Sequence, residues 1–240
     1  MYLLLKVEVL ILKMKKPMML KRVLMVRALN QVMKNLLKKI TQIILRKNPS
    51  NLLDLCIVGL GNPGDKHKKT RHNAGYDFIE LLANNLNVEL KDTKKLDALY
   101  GELLIGDRTI ALVKPNEYIN NSGKTLNLLK KYKVKSLKDV LVVHDDMDLE
   151  PGEVKLKDGG GHSGHNGLKD IINRVGSDFM RLRFGIGHPP VKNDTNAWVI
   201  KKPNPQEKKG LDEAFKKTLS SLDQLLDKDW LIVMNDLHTK

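Results

Sequence analysis

Cysteine is all but missing from this chain: 240 residues contain one, Cys56, so neither a disulfide framework nor a Cys-rich zinc site can be built. No uncharged apolar run approaches the roughly 18 residues of a membrane-spanning helix, which argues against an integral membrane protein. No Gly-x-Ser-x-Gly elbow is present, and Cys56 sits inside an apolar run where an inert thiol is expected, so a covalent nucleophile is not indicated. Histidines at the helical spacing of zinc proteases are absent, as are internal repeats and low-complexity tracts. What is there suffices for a core: 41% hydrophobic and 29% charged residues exclude global disorder. At about 150 residues per domain, the length allows one domain, or a domain with an appendage.

Acidic residues are also missing locally. Residues 1–50 carry 12 Lys/Arg against Glu8 alone, whereas residues 51–240 carry 30 against 27. Most of the net charge of +14 therefore belongs to the first fifth of the chain, and a nucleic-acid partner for the rest must be argued from local patches. Leu29, Val32, Met33, Leu36, Leu37, Ile40, Ile43 and Ile44 fall on one helical face, with Lys34, Lys38, Lys39 and Arg46 off it. Residues 1–50 thus read as a basic amphipathic extension, ended by Asn48-Pro49-Ser50: an organelle presequence or a dispensable arm, with a membrane-surface or RNA-contacting arm also physically possible. Location follows from that choice: the cytoplasm, or an organelle matrix if the segment is a presequence.

Residues 51–240 read as one domain. Residues 55–60 and 140–144 are near-continuous apolar runs, the mark of strands buried on both faces. Strand patterns at 109–114 and 181–186 alternate with helical patterns at 73–86, 123–132, 168–174 and a last long one at 207–226. The expected fold class is α/β: a single globular domain with a twisted mixed, largely parallel sheet flanked by helices.

Five polar stretches interrupt these elements. Gly59-Leu60-Gly61-Asn62-Pro63-Gly64 follows a strand but turns at Pro63-Gly64 rather than opening a helix, so a dinucleotide fingerprint is weak. Asn62 instead sits where open α/β sheets place their ligands. Thr70-Arg71-His72-Asn73-Ala74-Gly75 begins a helix, and Val142-Val143-His144-Asp145-Asp146-Met147-Asp148 ends a strand. The carboxylates could serve a metal or an acid–base relay, but adjacent strand residues point to opposite faces. The more economical pairing is Asp145 with a distant His72, which would orient the ring and raise its basicity toward water. Residues 114–123 form a polar loop. His162 and His165, three apart in the glycine-rich 159–167 stretch, are weak metal ligands, and a mobile loop closing over substrate is expected there. Asn62, Asn120 and Asn166 offer donors and acceptors without charge, suited to a peptide backbone and the oxygen of a reacting carbonyl. The deduced chemistry is hydrolysis at a carbonyl by activated water.

Together these blocks, with Asn120-Asn121-Ser122-Gly123, Gly161-His162-Ser163-Gly164-His165-Asn166-Gly167-Leu168-Lys169-Asp170 and Arg181-Leu182-Arg183-Phe184-Gly185-Ile186-Gly187-His188-Pro189, resemble the bacterial-type peptidyl-tRNA hydrolase family in order and spacing. The resemblance implies a metal-independent, cofactor-free esterase that cleaves a peptide from the 3′ end of tRNA. It gives His72 the role of catalytic base and Asp145 that of the orienting carboxylate. Asn62, Asn120 and Asn166 would hold the peptide and ester, with His165 beside Asn166, and Lys155, Lys157 and Arg183 would lie near tRNA phosphates. Ile119 stands where the family usually has Met, which raises the question of altered peptide preference. The partner implied is peptidyl-tRNA, with a monomer and no stable protein partner expected. The alternative is a catalytically silent RNA-binding relative of the kind recruited to organellar splicing.

Overall fold

The computed structural model describes residues 52–191 and 194–239. The helix expected within residues 1–50, and so the whole basic extension, lies outside the described residues. Seven strands form one sheet: β1 Leu55–Gly59, β2 Lys91–Thr93, β3 Ala98–Ile105, β4 Arg108–Pro115, β5 Val140–Asp146, β6 Val154–Asp158 and β7 Met180–Gly185. Their order across the sheet is β2-β3-β4-β1-β5-β7-β6. The sheet is mixed, as expected, but evenly so: the β4–β1, β1–β5 and β5–β7 ladders are parallel, and the three outer ladders are antiparallel.

Alternation along the strands builds two cores. Leu55 and Ile57 of β1, with Leu141 and Val143 of β5, point to one face; Cys56 and Val58, with Val140 and Val142, point to the other. The first face is covered by α1 (Ala74–Asn85) through Phe78, Ile79 and Leu82, and by C-terminal residues such as Phe215, Leu225 and Val233. The second is covered by α2 (Ser122–Tyr132) and α3 (Asn166–Val175) through Leu126, Leu129, Leu168 and Ile171. Because helices lie on both faces, β1 and the first four residues of β5 can be apolar throughout. Burial also pushes the Cys56 thiol far up, leaving it inert.

Past β7 the chain forms α4 (Thr195–Ile200), α5 (Pro205–Ser220), α6 (Leu222–Leu226) and α7 (Trp230–His238). The single helix expected at 207–226 is therefore interrupted, and it is not the last. It starts earlier because Asn204 and Glu207 form a reciprocal capping box with Pro205 at the first turn. It breaks at Ser221, whose hydroxyl donates to Asp236 Oδ2 on α7 (2.8 Å). Among the described residues, no helix is long and apolar enough to cross a membrane.

The site lies at the carboxyl ends of β1 and β5. The chain leaves β1 for β4 on one side and later crosses to β5 on the other, so the strand order reverses here. The glycines flanking this crevice are needed for close approach rather than for phosphate. A Cβ on Gly59 would fall 2.3 Å from Gly75 O, and one on Gly75 would fall 2.3 Å from Val143 O. Glycine at both positions lets the start of α1 press directly on the strand ends.

Candidate active site

Asp145, at the end of β5, is buried and gathers two imidazoles. His72, in the 3-10 turn Arg71–Asn73, places Nδ1 at 2.9 Å from Oδ1 and 3.1 Å from Oδ2. His165 places Nε2 at 3.2 Å from Oδ1. The tautomer of His165 is set by α3, which it caps: Nδ1 accepts from the backbone N–H of Leu168 at 3.2 Å, so Nε2 bears the proton and donates to Asp145. A proton on Nε2 also removes that nitrogen as a metal ligand. The trio His72, Asp145 and His165, compact enough to hold an ion, thus has a donor set that does not fit one.

Burial alone would raise the Asp145 carboxyl, but the charge and hydrogen bonds of His72 and His165 outweigh it and hold the group far below the usual carboxylate range. For His72, burial acts downward, and the Asp145 carboxylate wins, leaving the imidazole above its ordinary 6.5. A neutral His72 donating through Nδ1 to Asp145 keeps its lone pair on Nε2. A third ring, His144, is pushed down to about 3, chiefly by burial and then by His165. It stays neutral, with Nδ1 donating to the main-chain oxygen of Asp145 (2.6 Å).

His72, Asp145, His165 and Asn166 line one pocket, closed on its other side by Thr195, Asn196 and Val199 of α4. The remaining expected residues surround it. Asn62 is buried and locked: its backbone N–H donates to Asn73 Oδ1 (2.8 Å), its carbonyl accepts from Asn73 Nδ2 (3.0 Å), and its own Oδ1 accepts from the Ile119 N–H (2.9 Å). Only its amide N–H groups remain to be offered, toward a neighbouring cleft that it lines with Asn73. Ile119 packs close to Gly167, where an added Cβ would fall 2.9 Å from its Cγ1. Asn120 stands exposed on the turn Ile119–Asn121, outside both cavities.

Lys155, Lys157 and Arg183 share one face of the β6–β7 edge, with Lys155 directly opposite Arg183. Arg183 is tied to Asp146 at 2.7 Å, and Lys157 is exposed. Arg181, opposite Lys157, is buried and donates to the carbonyls of Gly160 and Gly161. The base of the glycine-rich loop is therefore tethered where free motion was expected, because the β7 arginine satisfies carbonyls that a loop would leave to water. Sequence reasoning passed over Asn73, Arg71, Arg181 and the α4 wall. Their partners lie up to 136 residues away, and only the adjacency of Arg71 and Asn73 to His72 gave a sign of them.

Comparison with known proteins agrees with this geometry. Residues 56–240 match the family model described as peptidyl-tRNA hydrolase. A peptidyl-tRNA hydrolase of Saccharophagus degradans is 41% identical over 196 residues, 81% of this chain and 99% of the relative. One from Mannheimia succiniciproducens is 44% identical over 173 residues, 71% of this chain and 89% of the relative. The crystal structure of the Acinetobacter baumannii peptidyl-tRNA hydrolase superposes with a TM-score of 0.74 at 38% identity, covering 78% of this chain and 95% of that one. With a family model spanning the pocket and all of the sheet but Leu55, and a shared fold at this identity, the chain belongs to the peptidyl-tRNA hydrolase family.

Proposed function

We propose that this chain hydrolyses the ester joining a peptide to the 3′ end of tRNA, with His72 as general base. The observation that carries the reading is the buried Asp145 carboxylate on Nδ1 of His72, which leaves Nε2 as the basic atom of a pocket-lining ring. Water donates to Nε2 and attacks the ester carbonyl as its proton moves to the ring. Asp145 stabilises the imidazolium so formed. The carbonyl oxygen takes up the negative charge, and the uncharged N–H donor of Asn166 in the same pocket suits it, with Asn62 in the neighbouring cleft and Asn120 on the substrate's approach. Collapse expels the 3′ oxygen, which recovers the proton from Nε2, giving a tRNA hydroxyl and a peptide carboxylic acid that then loses its proton to solvent. His165, donating to the same carboxylate, fixes its orientation. Ile119, packed under the start of α3, forms an apolar contact for the peptide.

The cations of the β6–β7 edge fit tRNA phosphates. Like charges placed directly across a strand pair repel, at a cost of about 0.2–1 kcal/mol each. Lys155 opposite Arg183 bears this cost, with Asp146 offsetting one side. An anionic partner explains why the arrangement is useful.

The test is release of free tRNA from N-acetyl-aminoacyl-tRNA by the purified chain in the presence of a chelator. Turnover is expected. Binding of the tRNA without turnover would instead identify a silent RNA-binding protein and overturn the assignment.

A further inference from the structure

Arg71 is buried, yet it belongs to no ion pair of the catalytic group. Its guanidinium stacks on the Trp198 ring, with Cζ 3.6 Å from the centroid. Nη1 donates to the carbonyls of Trp198 (3.2 Å) and Lys201 (3.3 Å), and Nη2 to Glu207 Oε2 (2.5 Å). The backbone N–H of Arg71 also donates to Lys201 O (3.1 Å). The Trp198 carbonyl also accepts from the Lys201 N–H (3.2 Å), so the guanidinium adds a second donor at the closed C-terminus of α4 while complementing the helix dipole. Trp198 is fixed from its other end, its Nε1 donating to Gly187 O (2.9 Å).

A six-residue helix has no stability of its own, so α4 stands where these contacts put it. Its pocket-facing residues, Thr195 and Asn196, come one turn before the capped end and face the cavity that His72 lines. The residue that caps α4 is the chain neighbour of that histidine. Among the described residues, Nε of Arg71 is buried without a partner, so the side chain is held by its two terminal nitrogens and the stack on Trp198.

We propose that Arg71 is a positioning residue: it holds α4 against the His72 turn so that Thr195 and Asn196 meet the ester end of the substrate. The inference rests on the hydrolase reading of the pocket, in that the ligand is peptidyl-tRNA. Its consequence is directional. The wall binds substrate, whereas Asp145 alone sets the base, so loss of the strut weakens binding and leaves proton transfer in place.

The experiment measures affinity for N-acetyl-aminoacyl-tRNA in the His72→Ala chain, where binding is read without turnover. Arg71→Lys keeps the charge but loses the fork and the planar stack, and should raise Kd by about tenfold. Asn196→Ala should raise it several-fold alone and add nothing on top of Arg71→Lys. With His72 present, Arg71→Lys should leave kcat within about threefold and the acid limb of the pH profile unmoved. Additive effects, or a fall in kcat at unchanged affinity, would overturn the proposal. If Arg71→Lys does not fold, Glu207→Gln, which keeps the α5 cap but removes the charge facing Arg71, must show the same non-additivity with Asn196→Ala. A chain that binds with this coupling but releases no tRNA would retain the strut and refute the hydrolase. A chain that hydrolyses without the coupling would do the reverse.

Discussion

Asp145 and Asp146 are neighbours on β5, and they serve two opposite environments. Asp145 is enclosed, with its oxygens taken up by His72 and His165, and its partners are rings that can move a proton. Asp146 points to the β6–β7 edge, where it meets Arg183 in a row that continues to Lys155 and the exposed Lys157. Inside, a charge in low dielectric acts on one atom at one distance. At the edge Asp146 and Arg183 are still largely buried, while outer charges such as Lys157 are screened by water and salt and, on the proposed reading, would meet a polyanion with little regard to its sequence. A single strand end can thus join demanding chemistry to permissive binding, because alternate side chains leave it in opposite directions.

Removing the base is the largest way to disturb this contrast. His72→Ala should lower kcat by about 10²–10⁴, or about 3–5 kcal/mol, with tRNA affinity little changed. Near-normal turnover in a single-turnover assay would mean the wrong group has been named. Asp145→Asn follows, expected to cost up to about 10⁴ in kcat as the amide no longer fixes the productive tautomer. Its pH dependence carries a sign. On the proposed mechanism neutral His72 is the active form, and its pKa is raised above 6.5 by Asp145, so kcat/KM of the unaltered chain should fall as pH drops through that raised value. Without the carboxylate, burial acts alone and draws the pKa down, so the acid limb must move to lower pH. A limb that stays in place would separate Asp145 from His72.

The two environments were unequally legible in the sequence. The strands β1 and β5 stood out because burial on both faces makes them continuously apolar. His72 and Asp145, although 73 residues apart, could be paired because a base needs an orienting carboxylate. β6 was missed: Val154 and Leu156 alternate with lysines beside a glycine tract, and five residues are too few to show a period. β3 was missed because its outer half is exposed. The lock of Asn73 on Asn62 and the Arg71 strut carry no local pattern, since each is a product of how distant segments meet. Nor could spacing show that Asn62 Oδ1 would be taken by Ile119, or that Asn166 alone of the three amides would line the pocket of His72.

A smaller effect probes the enclosed region through packing instead of chemistry. Gly75→Ala would press a methyl group against Val143 O and Leu60 N, both backbone atoms that cannot rotate away. Overpacking of this kind costs about 1–3 kcal/mol, so denaturant midpoints should fall while the slope stays the same. A neutral result would show that the junction between α1 and the strand ends is looser than its distances indicate.

The exposed edge gives the smallest effect and the clearest difference in kind. Lys157→Ala removes a solvated charge that makes no contact with the histidines, so kcat at saturating substrate should not change. What should change is the salt dependence of kcat/KM: with one phosphate fewer neutralised, the slope of its logarithm against log salt should become shallower by about one. At moderate salt this is a few-fold loss, and it should be the same for tRNAs of different sequence. An unchanged slope would take Lys157 off the phosphate path, leaving Lys155 and Arg183 to carry it. A loss that depended on tRNA identity would mean that the edge reads bases, and the contrast with the buried carboxylate would then be one of position and not of chemistry.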